Sequence, residues 1–210
     1  MSSPDLTPAA APPIVAILRG VTPGEILAVA GALVAAGIRA IEVPLNSPEA
    51  LTSIGLLCAA HGDRVLCGAG TVLSPRAVED VAAAGGRLIV TPNTDAEVIA
   101  HAVALGLTVM PGFATPSEAF TAVKAGARQL KLFPAGTFGP GHIKAVRDVL
   151  PREVAVYAVG GVGAANLAPW IAAGAAGIGV GGELYRPGDS AEAVATRAEA
   201  LVRAWTAATT

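Results

Sequence analysis

The chain has lysines at positions 124, 131 and 144, and only one of them interrupts an apolar run. Lys131 stands in QLKLFP, where strand side chains alternate from face to face. With Leu130 and Leu132 on one face, Gln129, Lys131 and Phe133 share the other. Lysine is seldom buried without a task. Desolvation favours its neutral amine, a nucleophile toward carbonyl carbon. Glu42 repeats the arrangement in AIEVPLNSP, sharing a face with Ala40 while Ile41 and Val43 turn away. A carboxylate facing a buried amine suits iminium chemistry, in which one group attacks a ketone and the other moves protons. An inert ion pair has the same geometry, so the pair by itself leaves both readings open.

Further polar residues follow apolar runs: Arg19, Asn46, Thr71, and Thr91 with Asn93. A guanidinium such as that of Arg19 matches a carboxylate with two parallel hydrogen bonds. Two glycine pairs, Gly160-Gly161 in AVGGV and Gly181-Gly182 in GVGGE, would let backbone N–H groups approach an anion closely. His61, His101 and His142 are scattered over helical segments and form no ligand cluster, so neither a metal nor another cofactor is expected. Cys67 has no histidine to activate it and is expected to pack, as are Trp170, Trp205 and Phe138. Cys58 and Cys67 are expected to be reduced thiols rather than part of a disulfide framework.

These residues need a scaffold that brings strands together, and the chain supplies one. After Pro13, short β-branched runs alternate eight times with alanine-rich segments of helical period. The runs are Ile14 to Leu18, Ala40 to Val43, Val65 to Ala69, Leu88 to Thr91, Thr108 to Met110, Gln129 to Phe133, Val154 to Val159 and Gly177 to Val180. Thr22-Pro23, Ser47-Pro48, Ser74-Pro75 and Thr115-Pro116 read as helix starts. Gly37, Gly62, Gly85, Gly106, Gly126 and Gly174 read as helix ends with positive φ. Eight βα units in this length predict an α/β fold, a single (β/α)8 TIM barrel over residues 14–210 after a flexible leader at 1–13. No GxGxxG turn follows the first strand, which weighs against a dinucleotide site. In such a barrel strands two and six lie opposite one another, so Glu42 and Lys131 converge. The loops after strands seven and eight, which carry both glycine pairs, commonly bind phosphate.

Composition narrows the partners. Of the 210 residues, 53% are hydrophobic and 14% charged, with a net charge of −2. That balance gives no footprint for nucleic acid or an anionic membrane. Gly, Pro or polar residues interrupt every apolar stretch before the roughly 20 residues of a membrane span. The opening MSSPDLTPAAAPP lacks the basic and apolar regions of a secretory signal, so a cytoplasmic protein is expected.

The segments IVAILRGVTP, IEVPLNSP, GAGTVL, IVTPN, PGFATPSEA, LKLFPA, FGPGHIKA and AVGGV together closely resemble the class I aldolases acting on 2-keto-3-deoxy-6-phospho sugar acids. The resemblance runs from about Ile14 to the last helix. It implies a homotrimeric lyase in which Lys131 forms the Schiff base and Glu42 shuttles protons. Arg19, Thr71 and Pro92 would surround the pyruvate half, and Gly160, Gly161, Gly181 and Gly182 would hold phosphate. PLNSP after the glutamate, where gluconate-epimer enzymes typically read TLRT, and Val159 before the glycine pair, where they typically have threonine, resemble the galactonate-epimer branch. Gly182-Glu183 departs from the serine-acidic pair common in the last phosphate loop and removes one hydroxyl donor. A gluconate-epimer aldolase, a metal-dependent pyruvate aldolase and a non-catalytic sugar-phosphate-binding barrel are the alternatives.

Overall fold

The computed structural model describes residues 11–210, so most of the expected leader lies outside the described residues. Within them, Pro13 already belongs to the sheet edge, because its carbonyl accepts the Ile178 N–H at 3.1 Å. The strands are β1 (Ile14–Ile17), β2 (Ala40–Pro44), β3 (Leu66–Gly70), β4 (Leu88–Val90), β5 (Thr108–Met110), β6 (Gly112–Phe113), β7 (Gln129–Leu132), β8 (Ala155–Val159) and β9 (Gly177–Val180). Their order across the sheet is β5-β4-β3-β2-β1-β9-β8-β7-β6, and every pairing is parallel. The two ends of that order, β5 and β6, are consecutive in the chain and separated only by Pro111. The ring is therefore a TIM-like barrel whose fifth strand is broken in two.

The sequence pattern predicts eight strands and runs the fifth only to Met110. The structure adds Gly112–Phe113 as a second half. The physical reason is Pro111, which cannot donate to a ladder. Its carbonyl still accepts the Lys131 N–H at 2.9 Å, so the proline passes the pairing from β4 across to β7.

Helices α1 (Ile26–Ala35), α2 (Ala50–His61), α3 (Pro75–Ala83), α4 (Ala96–Ala104), α5 (Pro116–Lys124), α6 (Ala135–Phe138), α7 (Pro140–Arg147), α8 (Ala168–Ala172) and α9 (Ala191–Thr209) surround the ring. Two of the four expected starts behave as read. Ser74 accepts the Ala77 N–H, and Thr115 forms a reciprocal capping box with Glu118. The other two are corrected. Thr22-Pro23 makes a turn, with the Thr22 hydroxyl donating to Glu25 at 2.6 Å, and α1 begins only at Ile26. Ser47 is buried and its hydroxyl accepts the Gly20 N–H at 2.9 Å, tying the loop after β1 to the loop after β2, while α2 begins at Ala50. Of the expected helix-ending glycines, Gly37, Gly85, Gly106, Gly126 and Gly174 have positive φ, whereas Gly62 caps α2 with φ −63, in the right-handed region.

Strand alternation sorts the apolar residues into two layers. Ile41, Val43, Leu130 and Leu132 point outward and join the large cluster between ring and helices. Val15, Ala40, Leu88, Val90, Met110, Tyr157 and Val159 form a smaller cluster inside the ring. Trp170, Trp205 and Cys67 pack in the outer layer as expected. Phe138 does not: it is 40% exposed and lies against His142, with ring centroids 5.0 Å apart.

Candidate active site

The interior of a barrel this small is closed by side chains, so charged groups there stand out. Glu42 and Lys131 are 2% and 6% exposed. Each occupies the third position of its strand, β2 and β7, which face one another across the ring. Both strands are buried along their whole length, and the neighbours of both residues turn outward into the apolar layer. Alternation thus drives each charge inward with no local compensation.

The two groups do not form a contact ion pair, since no carboxylate oxygen of the described residues lies within 4.0 Å of the Lys131 amine. Their charges nevertheless act on one another. Burial raises the Glu42 pKa to about 7, against the pull of Lys131 and Arg19 and the supporting Gly70 N–H. Burial lowers the Lys131 pKa to about 8; Glu42 opposes that shift and Arg19 adds to it. An amine and a carboxyl that both titrate near neutrality can each exist in either protonation state during turnover. One oxygen of the carboxyl, Oε2, is buried with no hydrogen-bond partner among the described residues. The Lys131 Nζ lies 4.8 Å from the centre of the Phe133 ring.

Two glycines make room for this pair. A Cβ on Gly70 would sit 2.1 Å from Glu42 Oε2 and 2.4 Å from Oε1, so the bare backbone at the end of β3 is the floor on which the carboxyl rests. A Cβ on Gly112 would sit 2.3 Å from the Pro92 carbonyl, so the loop after β4 presses against the broken fifth strand. Sequence reading passed over Gly70 and the Phe133 ring as parts of the site. The signal for the first was a pair of glycines inside an apolar strand, LCGAG.

The remaining expected residues gather at the rim where the strands end. Arg19, exposed just after β1, donates to Asn46 Oδ1 at 2.6 Å, and its charge reaches both Glu42 and Lys131. Thr71 follows β3 directly and holds φ +56, a left-handed conformation that a β-branched residue adopts at a cost. Pro92 lies beyond β4, where the Thr91 hydroxyl donates to the Asn93 carbonyl and accepts the Gly112 N–H at 3.4 Å.

Gly160 and Gly161 have φ +94 and +76, so the turn after β8 requires glycine twice in succession. The loop is pinned by Asn166, whose side chain accepts the Gly163 N–H and donates to the Gly161 carbonyl, both at 2.9 Å. Gly181 and Gly182 differ. Neither has positive φ, and a Cβ on Gly182 would meet open space. The side chain of Glu183 lies beside Gly163, where an added Cβ would sit 3.3 Å from it.

The histidines stay apart, and among the described residues no three His, Cys, Asp or Glu side chains are grouped to hold a metal. No helix among them is long and apolar enough to cross a membrane.

Residues 9–196 match the aldolase family described as KDPG and KHG aldolase. A 2-dehydro-3-deoxy-6-phosphogalactonate aldolase of Escherichia coli K12 is 55% identical over 193 residues, covering 92% of this chain and 94% of that protein. A solved structure described as native KDPGal superposes with a TM-score of 0.94 at 53% identity, covering 97% of this chain and 98% of the other. A KDPG aldolase from Legionella pneumophila, with pyruvate captured at low pH as a covalent carbinolamine intermediate, superposes with a TM-score of 0.79 at 29% identity, covering 95% of both chains. The chain therefore belongs to the KDPG and KHG aldolase family.

Proposed function

We propose that this protein is a class I aldolase that cleaves 2-dehydro-3-deoxy-6-phosphogalactonate to pyruvate and D-glyceraldehyde 3-phosphate. The observation that carries the reading is the burial of Lys131 opposite Glu42 with both titrations drawn toward neutrality. The free amine of Lys131 attacks the C2 ketone, and loss of water from the carbinolamine gives an iminium that withdraws electrons from C3. Glu42, as the carboxylate, accepts the C4 hydroxyl proton, and the C3–C4 bond breaks. The aldehyde leaves, the enamine of pyruvate takes a proton at C3 with help from Glu42, and water releases pyruvate and the amine. The covalent carbinolamine in the Legionella relative supports this route.

Arg19 is positioned to hold the substrate carboxylate, and Thr71 and Pro92 border the pyruvate half. The glycine turns Gly160-Gly161 and Gly181-Gly182 offer backbone N–H groups to the phosphate, with the first pair the more strictly shaped. The galactonate epimer is favoured by the identity to the Escherichia coli relative and by Val159, a buried apolar residue where a threonine hydroxyl would suit the other epimer. A cytoplasmic homotrimer is part of the same proposal. It rests on the family resemblance and on exposed apolar side chains such as Phe120 and Leu73 that a partner copy would cover.

The test is pyruvate release from each C4 epimer in excess chelator, with borohydride trapping of pyruvate and peptide mapping. Turnover favouring the galactonate epimer, with the reduced adduct on Lys131, is expected. Turnover without an adduct on Lys131 would overturn the mechanism, and preference for the gluconate epimer would overturn the substrate. Light scattering checks the trimer.

A further inference from the structure

The loop between β2 and α2 carries a polar side chain that the proposed chemistry leaves without a task. Asn46 Oδ1 accepts from Arg19 Nη1 at 2.6 Å, across 27 positions of sequence. A guanidinium has donors only, so the oxygen of the amide is the atom that faces it. No other hydrogen bond reaches that guanidinium among the described residues, and none of their carboxylates lies within 4.0 Å of it. The frame around this contact is tied on both sides. Ser47 N–H donates to the Pro44 carbonyl and Leu45 N–H to the Gly70 carbonyl, both at 2.8 Å, so Asn46 stands in a turn fixed at its base. On the other side, Leu18 N–H donates to the Glu42 carbonyl at 3.0 Å, and Gly20 N–H donates to the buried Ser47 hydroxyl at 2.9 Å. A Cβ on Gly20 would sit 2.6 Å from Pro187 Cγ, so the loop after β9 closes against the same backbone. The backbone flanking Arg19 is thus held by its neighbours. The long, exposed side chain is the part left to move, and Asn46 is the group that holds it.

The neutrality of the amide matters. A carboxylate at this position would bond the guanidinium more tightly and cancel its charge. With asparagine the charge stays, and it favours the carboxylate at Glu42 and the neutral amine at Lys131. We propose that Asn46 is a positioning residue that sets the direction of the Arg19 guanidinium without neutralising it, so that the carboxylate of the 2-keto acid meets a donor already oriented. The proposal rests on the reading of Lys131 as the Schiff-base nucleophile with Arg19 at the substrate carboxylate. Donors fixed in advance lose little side-chain freedom when the ligand arrives, so the benefit falls on binding. Asn46 acts through Arg19 and takes no part in making or breaking bonds.

The experiment follows exchange of the pyruvate methyl protons for deuterium by the full-length protein. This half-reaction needs the amine, a proton acceptor and the carboxylate site, but neither the phosphate nor the C4 hydroxyl. Asn46→Ala is expected to raise KM for pyruvate about tenfold with kcat within about twofold of wild type. Asn46→Asp is expected to raise it about a hundredfold, because the new carboxylate pairs with Arg19 and repels the keto acid. In an Arg19→Ala background, Asn46→Ala should change kcat/KM by less than about twofold, since no guanidinium is left to orient. A purely structural amide gives another order: the isosteric Asn46→Asp keeps the hydrogen bond and stays near wild type. That result would overturn the proposal, as would an unchanged KM in Asn46→Ala or full additivity with Arg19→Ala. Exchange by wild type without cleavage of either epimer would overturn the substrate reading alone and leave the role of Asn46 decided by the exchange. No exchange by wild type would overturn the Schiff-base reading and this inference with it.

Discussion

The two faces of the same strands build two different regions. The outer layer between ring and helices is apolar nearly throughout, from Leu33 and Ile54 on the helices to Ile41 and Leu130 on the strands. The inner layer interleaves a small apolar cluster with Glu42, Lys131, Thr108 and Gln129, and several of its polar atoms have no hydrogen-bond partner among the described residues. Successive residues of one strand, such as Leu130 and Lys131, therefore serve opposite ends. The outer layer shares its stabilisation among many side chains that tolerate volume-conserving exchange. In the inner layer the energetic cost of burying charge is kept because it tunes the two groups that react. Substitutions should separate the regions: inner ones abolish chemistry with little change in folding, outer ones the reverse.

The largest separation is expected from Lys131→Ala. Loss of the nucleophile should lower kcat by about 10^4-fold or more, measured as pyruvate release, while removal of a buried amine leaves the thermal midpoint close to wild type. Glu42→Gln should lower kcat by roughly 10^2- to 10^4-fold as a lost proton shuttle. It should also simplify the pH profile. Attack needs the neutral amine, formed as pH rises through about 8 at Lys131, and C4 proton abstraction needs the carboxylate, formed above about 7 at Glu42. In wild type kcat/KM for cleavage should therefore rise through this range and fall off more steeply below it, in two steps belonging to the pair. The variant should show one step. A flat profile in wild type would break the assignment.

In the outer layer, Leu33→Ala should cost about 3 kcal/mol of stability by denaturant titration, with kcat of the folded fraction unchanged; Leu33 is fully buried and touches no reacting group. Gly70→Ala should displace the Glu42 carboxyl, whose oxygens would lie within 2.4 Å of the added carbon. About a hundredfold loss of kcat, roughly 2.7 kcal/mol, is expected from that misplacement, and unchanged activity would sink the role given to this glycine. Thr71→Gly should have the smallest effect. Relief of the left-handed strain is worth about 1 kcal/mol and is partly offset by the flexibility of glycine, so stability should hold or rise slightly. Loss of the hydroxyl should raise KM by roughly fivefold.

Much of this was legible in the residues. The strand rhythm specifies a barrel because parallel strands joined by helices of this length close in only a few ways. Lys131 and Glu42 stand out because a charge at an inward position of an apolar strand has no bland explanation in composition. Alternation is a local property, so sequence carries it. Helix starts at Ser74 and Thr115 were legible for the same reason, since a cap is satisfied within four residues.

What escaped depends on partners far along the chain. Ser47 looks like a cap and is instead used 27 residues away by Gly20. Pro111 looks like the end of a strand and instead hands the ladder from β4 to β7, because only the closed ring supplies a donor for its carbonyl. Gly181 and Gly182 read like Gly160 and Gly161, but only Gly160 and Gly161 need the left-handed backbone. The strength of burial at Lys131 and the lack of a hydrogen-bond partner for Glu42 Oε2 among the described residues were likewise decided by tertiary structure. The sequence by itself determined which residues face inward, through the period of the strand. The folded ring alone decided how far apart they stand and how much water reaches them, because distance and desolvation arise from chain segments that only packing brings together.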